Sequence, residues 1–324
     1  MTWFIFAVIC ILGWGCADLF YKRSSDTDDR YSHLKIAVWV GLVMGVCAIA
    51  LLPLSESGFS PHEILINAVK YSPASLCYII SMVIGYAGLR YLELSIISPV
   101  QNASGALSAI CMLIYFLIVG RIANITEEFG LLDLIGTVLI VAGVVAIAFV
   151  EKKLASQEEE ALKGDSTKER KYRYGALALL FPLLYCVFDT IGTAADGIIL
   201  DETTGLGLGE IDVIILYGLT FFLAGIVCWI VIWIKEKKPY NPFRKHELNK
   251  GVAALCEEFG QVFYVYAMAR NPVLVAPMVA SYCIVSVILS RIFLGEKLTK
   301  GQYVCVFLVI AGIVLLGISE GLAS

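Results

Sequence analysis

Ten long apolar runs, approximately 3–21, 36–54, 72–90, 95–119, 130–149, 174–195, 212–234, 250–269, 273–294 and 301–319, alternate with short polar stretches. Roughly 17–25 mostly apolar residues are needed to cross about 30 Å of hydrocarbon as a helix. Barrel strands would be about 10 residues long with strict alternation, a pattern this chain lacks. Only helices satisfy their own backbone hydrogen bonds within one continuous apolar segment. The pattern therefore predicts an all-α membrane protein with ten transmembrane helices. One stretch breaks the rhythm: residues 151–172 (EKKLASQEEEALKGDSTKERKY) are charged, lack apolar periodicity and read as a solvated linker.

The halves on either side of this linker resemble each other. IVAGVV at 140–145 matches VIAGIV at 309–314. A shift of 178 places Tyr86 on Tyr264, Pro99 on Pro277 and Ser108 on Ser286, and a shift of 171 places Trp14 on Tyr185 and Asp18 on Asp189. The expected organisation is a first repeat at 1–150, the cytoplasmic linker at 151–172 and a second repeat at 173–320. Five helices is an odd number, so the second copy must enter the membrane from the opposite side. The fold expected is two inverted five-helix repeats, an arrangement shared by many secondary transporters.

Composition agrees with the membrane assignment. The chain of 324 residues is 59% hydrophobic and 16% charged, with mean hydropathy +0.82, against about 25% charged in soluble domains. The net charge of −4 and the lack of a basic, aromatic-interleaved stripe exclude nucleic acid as a partner. The N-terminal run has no positive leader segment and no small-residue cleavage site, and Trp14 suits a lipoprotein box poorly, so it reads as a retained span. The ten cysteines all lie in apolar runs and read as packing residues. His33, His62 and His246 read as scattered loop residues, and no metal site is expected. Lys and Arg concentrate in loop 1–2, the linker, loop 7–8 and loop 9–10, whereas the opposite side has little beyond Lys70, Arg121 and Arg270. The rich side belongs in the cytoplasm, which puts both termini outside the cell membrane.

The chain resembles the EamA-type ten-helix exporters of the drug/metabolite transporter superfamily. The resemblance runs over nearly the whole chain. It is carried by GWG followed by Lys22 in the first span, Ser98-Pro99 opening span four, Ala276-Pro277 opening span nine, and GEKLTKGQYVCVFLVIAGIVLL at 295–316. It departs at 120–133, where GRIANITEEFGLLD replaces an expected GE-x-LT signature. Members are described with both termini cytoplasmic, opposite to the charge count for this chain. The resemblance implies secondary transport of small metabolites, with a central cavity lined by spans one, three, four, six, eight and nine.

Ionisable groups inside spans cost roughly 2.5–3.5 kcal/mol each near the bilayer centre and mark functional sites by default. Asp18, Asp189, Glu257 and Glu258 lie well inside the runs, Arg291 late in span nine, and Asp133 and Asp212 at span ends. Glu257 and Glu258, with Gln261 and Tyr264, form a polar patch in span eight; neighbouring side chains point about 100° apart, so one of the two carboxylates is expected to face a cavity. Such a carboxylate is a candidate solute or proton site; the structural alternative is pairing with Arg291 or reaching the cytoplasmic interface. Asp18 and Asp189 are candidate gate or coupling residues. The plainer reading of Asp18 is interfacial pairing beside Lys22. Gln101, Asn102, Ser104 and Ser108 in span four, and Ser281, Tyr282 and Ser286 in span nine, either line the pathway or bond neighbouring helices. Trp14, Tyr86, Tyr185, Tyr264 and Tyr266 either wall a cation site or pack at the interface. Gly13, Gly15 and Pro182 are candidate helix breakers, and Gly41-xxx-Gly45 a close-packing face.

The glycine-rich loop TGLGLGE (204–210) follows a span rather than a strand and no phosphate-binding GxxxxGKS is present, so no nucleotide cofactor is expected. The expected function is secondary active transport, with export the implied direction, of a small polar metabolite, amine or amino acid, with the lipid bilayer and protons as further partners. Monomer and homodimer both stay open. The alternatives are an intramembrane carboxylate hydrolase, for which GxGD and HExxH motifs are lacking, and a non-transporting scaffold.

Overall fold

The computed structural model describes residues 2–26, 29–55, 60–92, 94–125, 129–161, 180–201, 203–295 and 299–323. The helices are α1 (Thr2–Ser24), α2 (Ser32–Leu51), α3 (Pro61–Gly88), α4 (Leu94–Asn102), α5 (Ser104–Ile118), α6 (Leu131–Ala161), α7 (Leu180–Leu200), α8 (Glu210–Glu236), α9 (Leu248–Met268), α10 (Pro272–Ala280), α11 (Tyr282–Phe293) and α12 (Lys300–Ala323). Each apolar run of the sequence has its helix. Among the described residues eight helical segments are long and apolar enough to cross a membrane, and Leu131–Ile147 adds a shorter one. The run at α9 is 21 residues long but carries Lys250, Glu257, Glu258 and Gln261, which lower its apolarity. Large apolar side chains such as Leu12, Val46, Leu76, Val138, Leu223 and Phe307 are exposed on the outer faces, a surface that lipid solvates and water does not. The protein is a multi-pass membrane protein.

Several expectations need correction. Spans four and nine are each two helices. The breaks fall at Ala103 and Ser281, four residues after Pro99 and Pro277, in the same register that aligns the two prolines. A proline contributes no N–H to the helical ladder, which weakens continuity around it. Helix α3 starts at Pro61 rather than 72, with Pro at its first position and polar His62, Glu63 and Lys70 diluting its first turns. His33 and His62 therefore lie in first turns of helices, not in loops. The linker's first part, 151–161, continues α6 as helix; 162–172, the expected start of span six at 174–179, and Lys297 lie outside the described residues. Helix α1 is unbroken: Gly13 meets the backbone of Gly260 and Gly15 meets Val285, so both are packing positions. Pro182 lies within α7, two residues after Leu180, the first residue described there.

The most extensive helix contacts pair α2 with α8, α1 with α9, α6 with α12, α3 with α7 and α5 with α10. Every one joins the first half of the chain to the second. Exchanging corresponding helices of the halves maps the first four pairs onto one another, and turns α5 with α10 into α4 with α11, which also touch. Gly41 is what lets α2 approach α8, because a Cβ there would lie 2.5 Å from the Phe221 carbonyl and 2.9 Å from the Gly225 Cα. The segment Pro272–Phe293 is the most enclosed, with 83% of its apolar window buried, against 28% for Lys300–Leu322. The broken α10–α11 unit is thus central and α12 faces lipid.

Polar ties sit at the helix ends. Lys35 Nζ pairs with Asp29 at 2.9 Å and Glu236 at 3.0 Å, joining loop 1–2 to the end of α8. At the other end Ser55 donates to Asp212 at 2.6 Å, and Arg121 Nε donates to Asp201 at 2.8 Å. Asp201 also accepts from the backbone and hydroxyls of Thr203 and Thr204, which organises the glycine-rich loop as a turn ending α7. Burial raises the Asp201 carboxyl, but the hydrogen bonds from Thr203, Thr204 and Arg121 outweigh it and hold it at about 2. A depressed value means that this contribution, about 2 kcal/mol, is fully present above the ordinary aspartate range. It is lost as pH falls toward 2. The Asp201→Asn protein is therefore expected to melt at lower temperature than wild type at neutral pH, with the difference shrinking on acidification. A constant difference at all pH values in a detergent melting series contradicts this.

Candidate functional site

The central cavity lies where α1, α3, the α4–α5 break, α7, α8, α9 and α10–α11 meet. Its volume is about 60 Å³, room for a few waters or the head of a small solute. Eleven of the twelve residues expected at a solute or coupling site line it: Trp14, Asp18, Tyr86, Gln101, Asn102, Tyr185, Asp189, Glu257, Gln261, Tyr264 and Tyr282. Glu258 is the exception. It turns from the cavity toward Cys47 on α2, and, among the described residues, pairs with neither Arg291 nor any other cation. Arg291 instead stacks over Tyr303. The helical period explains the split: Glu257, Gln261 and Tyr264 share one face of α9 at i, i+4 and i+7, and Glu258 lies off it.

Asp18 does not pair with Lys22. Its Oδ2 accepts from Ser98 Oγ at 2.6 Å and Ser286 Oγ at 2.7 Å, while Lys22 donates to the Leu89 and Leu92 carbonyls. Asp189 Oδ2 accepts from Ser104 Oγ at 2.6 Å. The two aspartates thus grip the broken α4–α5 unit at points six residues apart, about 9 Å along a helix axis. Asp18 also grips α11 through Ser286. Both lie within electrostatic reach of Glu257. No Lys or Arg side chain lines the cavity among the described residues.

The walls are aromatic. Trp14 packs on Tyr264 with ring centroids 5.1 Å apart and meets Tyr282 edge-on at 5.6 Å. Its indole N–H donates to the Glu257 carbonyl at 3.2 Å. Gly260 makes this possible, since a Cβ there would sit 2.3 Å from the Trp14 ring. Tyr21 and Tyr86 face each other at 4.8 Å. The amide nitrogens of Gln101 and Gln261 are buried without a hydrogen-bond partner in the protein, and both residues line the cavity. A partnerless buried donor costs about 1–3 kcal/mol, so their clustering at one cavity marks a place for polar groups of a solute.

Tyr266 lies elsewhere, packed at a tilt against Phe6. Ser281, at the break, donates back to the Met278 carbonyl of α10, and Ser108 bonds the Ser104 and Thr190 carbonyls. Tyr21, Tyr78, Thr193 and Tyr217 line the cavity too. Sequence reasoning missed them, and Tyr21 and Tyr78 carried a signal, each falling on the same helix face as the recognised Trp14 or Tyr86. A second groove of about 330 Å³, between Val38, Leu42, Phe222, Ile226, Trp229 and Phe243, is apolar and offers a polar solute nothing.

The EamA-like transporter family model matches residues 202–318. No curated protein matches the sequence. A solved structure described as "Crystal structure of protein" superposes with TM-score 0.57 over 99% of this chain and 99% of its own, at 13% identity, a likeness of fold alone. Residues 202–318 of this multi-pass membrane protein are thus similar to the EamA-like transporter family of the drug/metabolite transporter superfamily.

Proposed function

We propose that the protein is a secondary transporter for a small organic cation, an amine or a cationic amino acid, working by alternating access from the cell membrane. The observation that carries this is the central cavity, where Asp18, Asp189 and Glu257 meet aromatic rings and no basic side chain among the described residues. Three acidic groups without a countercharge repel one another and are poorly solvated. A cationic solute relieves both costs, and the faces of Trp14, Tyr264 and Tyr282 add cation–π attraction. The free amide N–H groups of Gln101 and Gln261 then suit an oxygen acceptor on the same solute.

The switch we assign to the broken helices. The self-matching helix pairs and the matched breaks at Ala103 and Ser281 support two inverted repeats, 1–150 and 173–320. Asp18 holds both broken units through Ser98 and Ser286, and Asp189 holds one through Ser104. A cation engaging these carboxylates competes with the serines. Binding is thereby coupled to movement of α4–α5 against α10–α11, and export is the direction the family resemblance suggests. The positive-rich loops favour a cytoplasmic face for loop 1–2, with both termini outside.

The test is thermal stabilisation of the purified full-length protein by ethanolamine, lysine, serine, lactate and glucose. Ethanolamine and lysine are expected to raise the melting temperature in proportion to log concentration, and lactate and glucose to leave it unchanged. Stabilisation by lactate alone sinks the cation reading.

A further inference from the structure

One buried acid plays no part in the solute site. Asp196, on α7, is 0% exposed and does not line the central cavity. Its Oδ1 accepts from the Tyr71 hydroxyl at 2.9 Å, and its Oδ2 has no hydrogen-bond partner. No Lys or Arg pairs with it among the described residues. The titratable groups that face it are all neutral phenols: Tyr71 and Tyr78 from α3, Tyr217 from α8 and Tyr264 from α9. Asp189 is the nearest acid on its own helix, two turns away. Around the next residue, Gly197, α5, α9 and α10 contribute Met112, Met268 and Pro272. Nothing in this setting balances a negative charge.

The same acid is wired to the cavity. Tyr264 faces Asp196 on one side and shares a 2.7 Å hydrogen bond with the Tyr78 hydroxyl on the other. Tyr78 donates to Thr193 Oγ1 at 3.2 Å. Tyr264, Tyr78 and Thr193 all line the cavity. On its other side Asp196 lies four residues before the end of α7 at Leu200, about 6 Å of helix rise from that end.

We propose that Asp196 is the proton-carrying group of this carrier, set apart from the solute carboxylates and joined to them by Tyr264 and Tyr78. The proposal rests on the carrier reading above. A separate proton site lets the driving ion load outside the solute cavity and enter it only through the tyrosines. In the relay the proton leaves the Asp196 carboxyl oxygen for the neighbouring phenol oxygen. Each hydroxyl then gives up one proton as it takes one, so the tyrosines end as they began, the Glu257 carboxylate takes the proton in the cavity, and Asp196 is reprotonated from water beyond the end of α7. Its arrival favours release of the bound cation from Glu257. The net exchange is one proton for one monovalent cation, with no oxidant or reductant involved.

Two measurements on the reconstituted full-length protein test this. In infrared difference spectra across an acid step, wild type and Glu257→Gln are expected to gain a protonated-carboxyl C=O band that Asp196→Asn lacks; an unchanged band in Asp196→Asn overturns the proposal. In proteoliposomes, labelled ethanolamine is followed in two modes. Counterflow, which needs no proton, is expected to stay within about twofold of wild type in Asp196→Asn. Accumulation driven by a pH gradient, and the proton flux reported by internal pyranine, are expected to fall at least about tenfold. Retention of gradient-driven accumulation, or equal loss of both modes, overturns it. Should Asp196→Asn not fold, Tyr71→Phe is read instead: it removes the Tyr71 hydrogen bond to the acid and must shift the pH profile of accumulation without changing counterflow, and an unshifted profile counts against the proposal. Absence of counterflow in wild type removes the carrier reading itself, a result that leaves the infrared outcome to stand alone.

Discussion

Ethanolamine counterflow by the Glu257→Gln protein is expected to fall by about 10- to 100-fold, whereas Glu258→Gln transports like wild type. The two side chains are neighbours in sequence and both are buried, at 8% and 7% exposed, so burial does not separate them. Position does. Glu257 lines the cavity with Gln261 and Tyr264, and Glu258 faces Cys47 away from it. A cation about 4 Å from a carboxylate gains up to about 4 kcal/mol at an effective dielectric of 20. Part of this is spent on desolvating the solute, and a residue of about 1.4–2.7 kcal/mol corresponds to the expected 10- to 100-fold loss. Substitution by Gln keeps volume and hydrogen bonding, so both proteins should melt near wild type. Equal impairment of the two variants places the critical acid on the wrong face of α9 and removes the assignment.

Gly41→Val is expected to be strongly destabilising, lowering the melting temperature by several degrees or preventing accumulation of folded protein. The added Cβ meets the Phe221 carbonyl and the Gly225 Cα. Both are backbone, so no rotamer change relieves the clash and α2 must move off α8 along their most extensive contact. Overpacking of this kind costs about 1–3 kcal/mol, more where the backbone must shift. Val46, 59% exposed on the lipid side of the same helix, serves as control: Val46→Leu should leave the melt unchanged. A Gly41→Val protein as stable as wild type shows that α2 and α8 are not held at this distance in the membrane.

What was legible in the sequence were the quantities that depend on local chemistry. Run length and apolarity foretold a helix for every span. The register linking Pro99 to Pro277 foretold that spans four and nine would share a feature, though not that each would break. The cost of charge in lipid singled out Asp18, Asp189 and Glu257, which meet at one cavity. The same logic missed Asp196, because the expected span ended at 195, one residue short of it.

Tertiary structure alone decided the rest. A helical period sets the angle between Glu257 and Glu258 but not the rotation of α9 in the bundle, and that rotation chooses which acid meets the cavity. The near neighbour Lys22 made a local pair for Asp18 attractive on sequence grounds. The partners it actually has, Ser98 and Ser286, are 80 and 268 residues away. Such contacts depend on how the two halves of the chain dock, through close approaches such as Gly41 with Gly225 and Gly13 with Gly260. Composition determines that this chain enters a bilayer; the packing of one half against the other determines which of its buried polar groups face a solute, and which face one another.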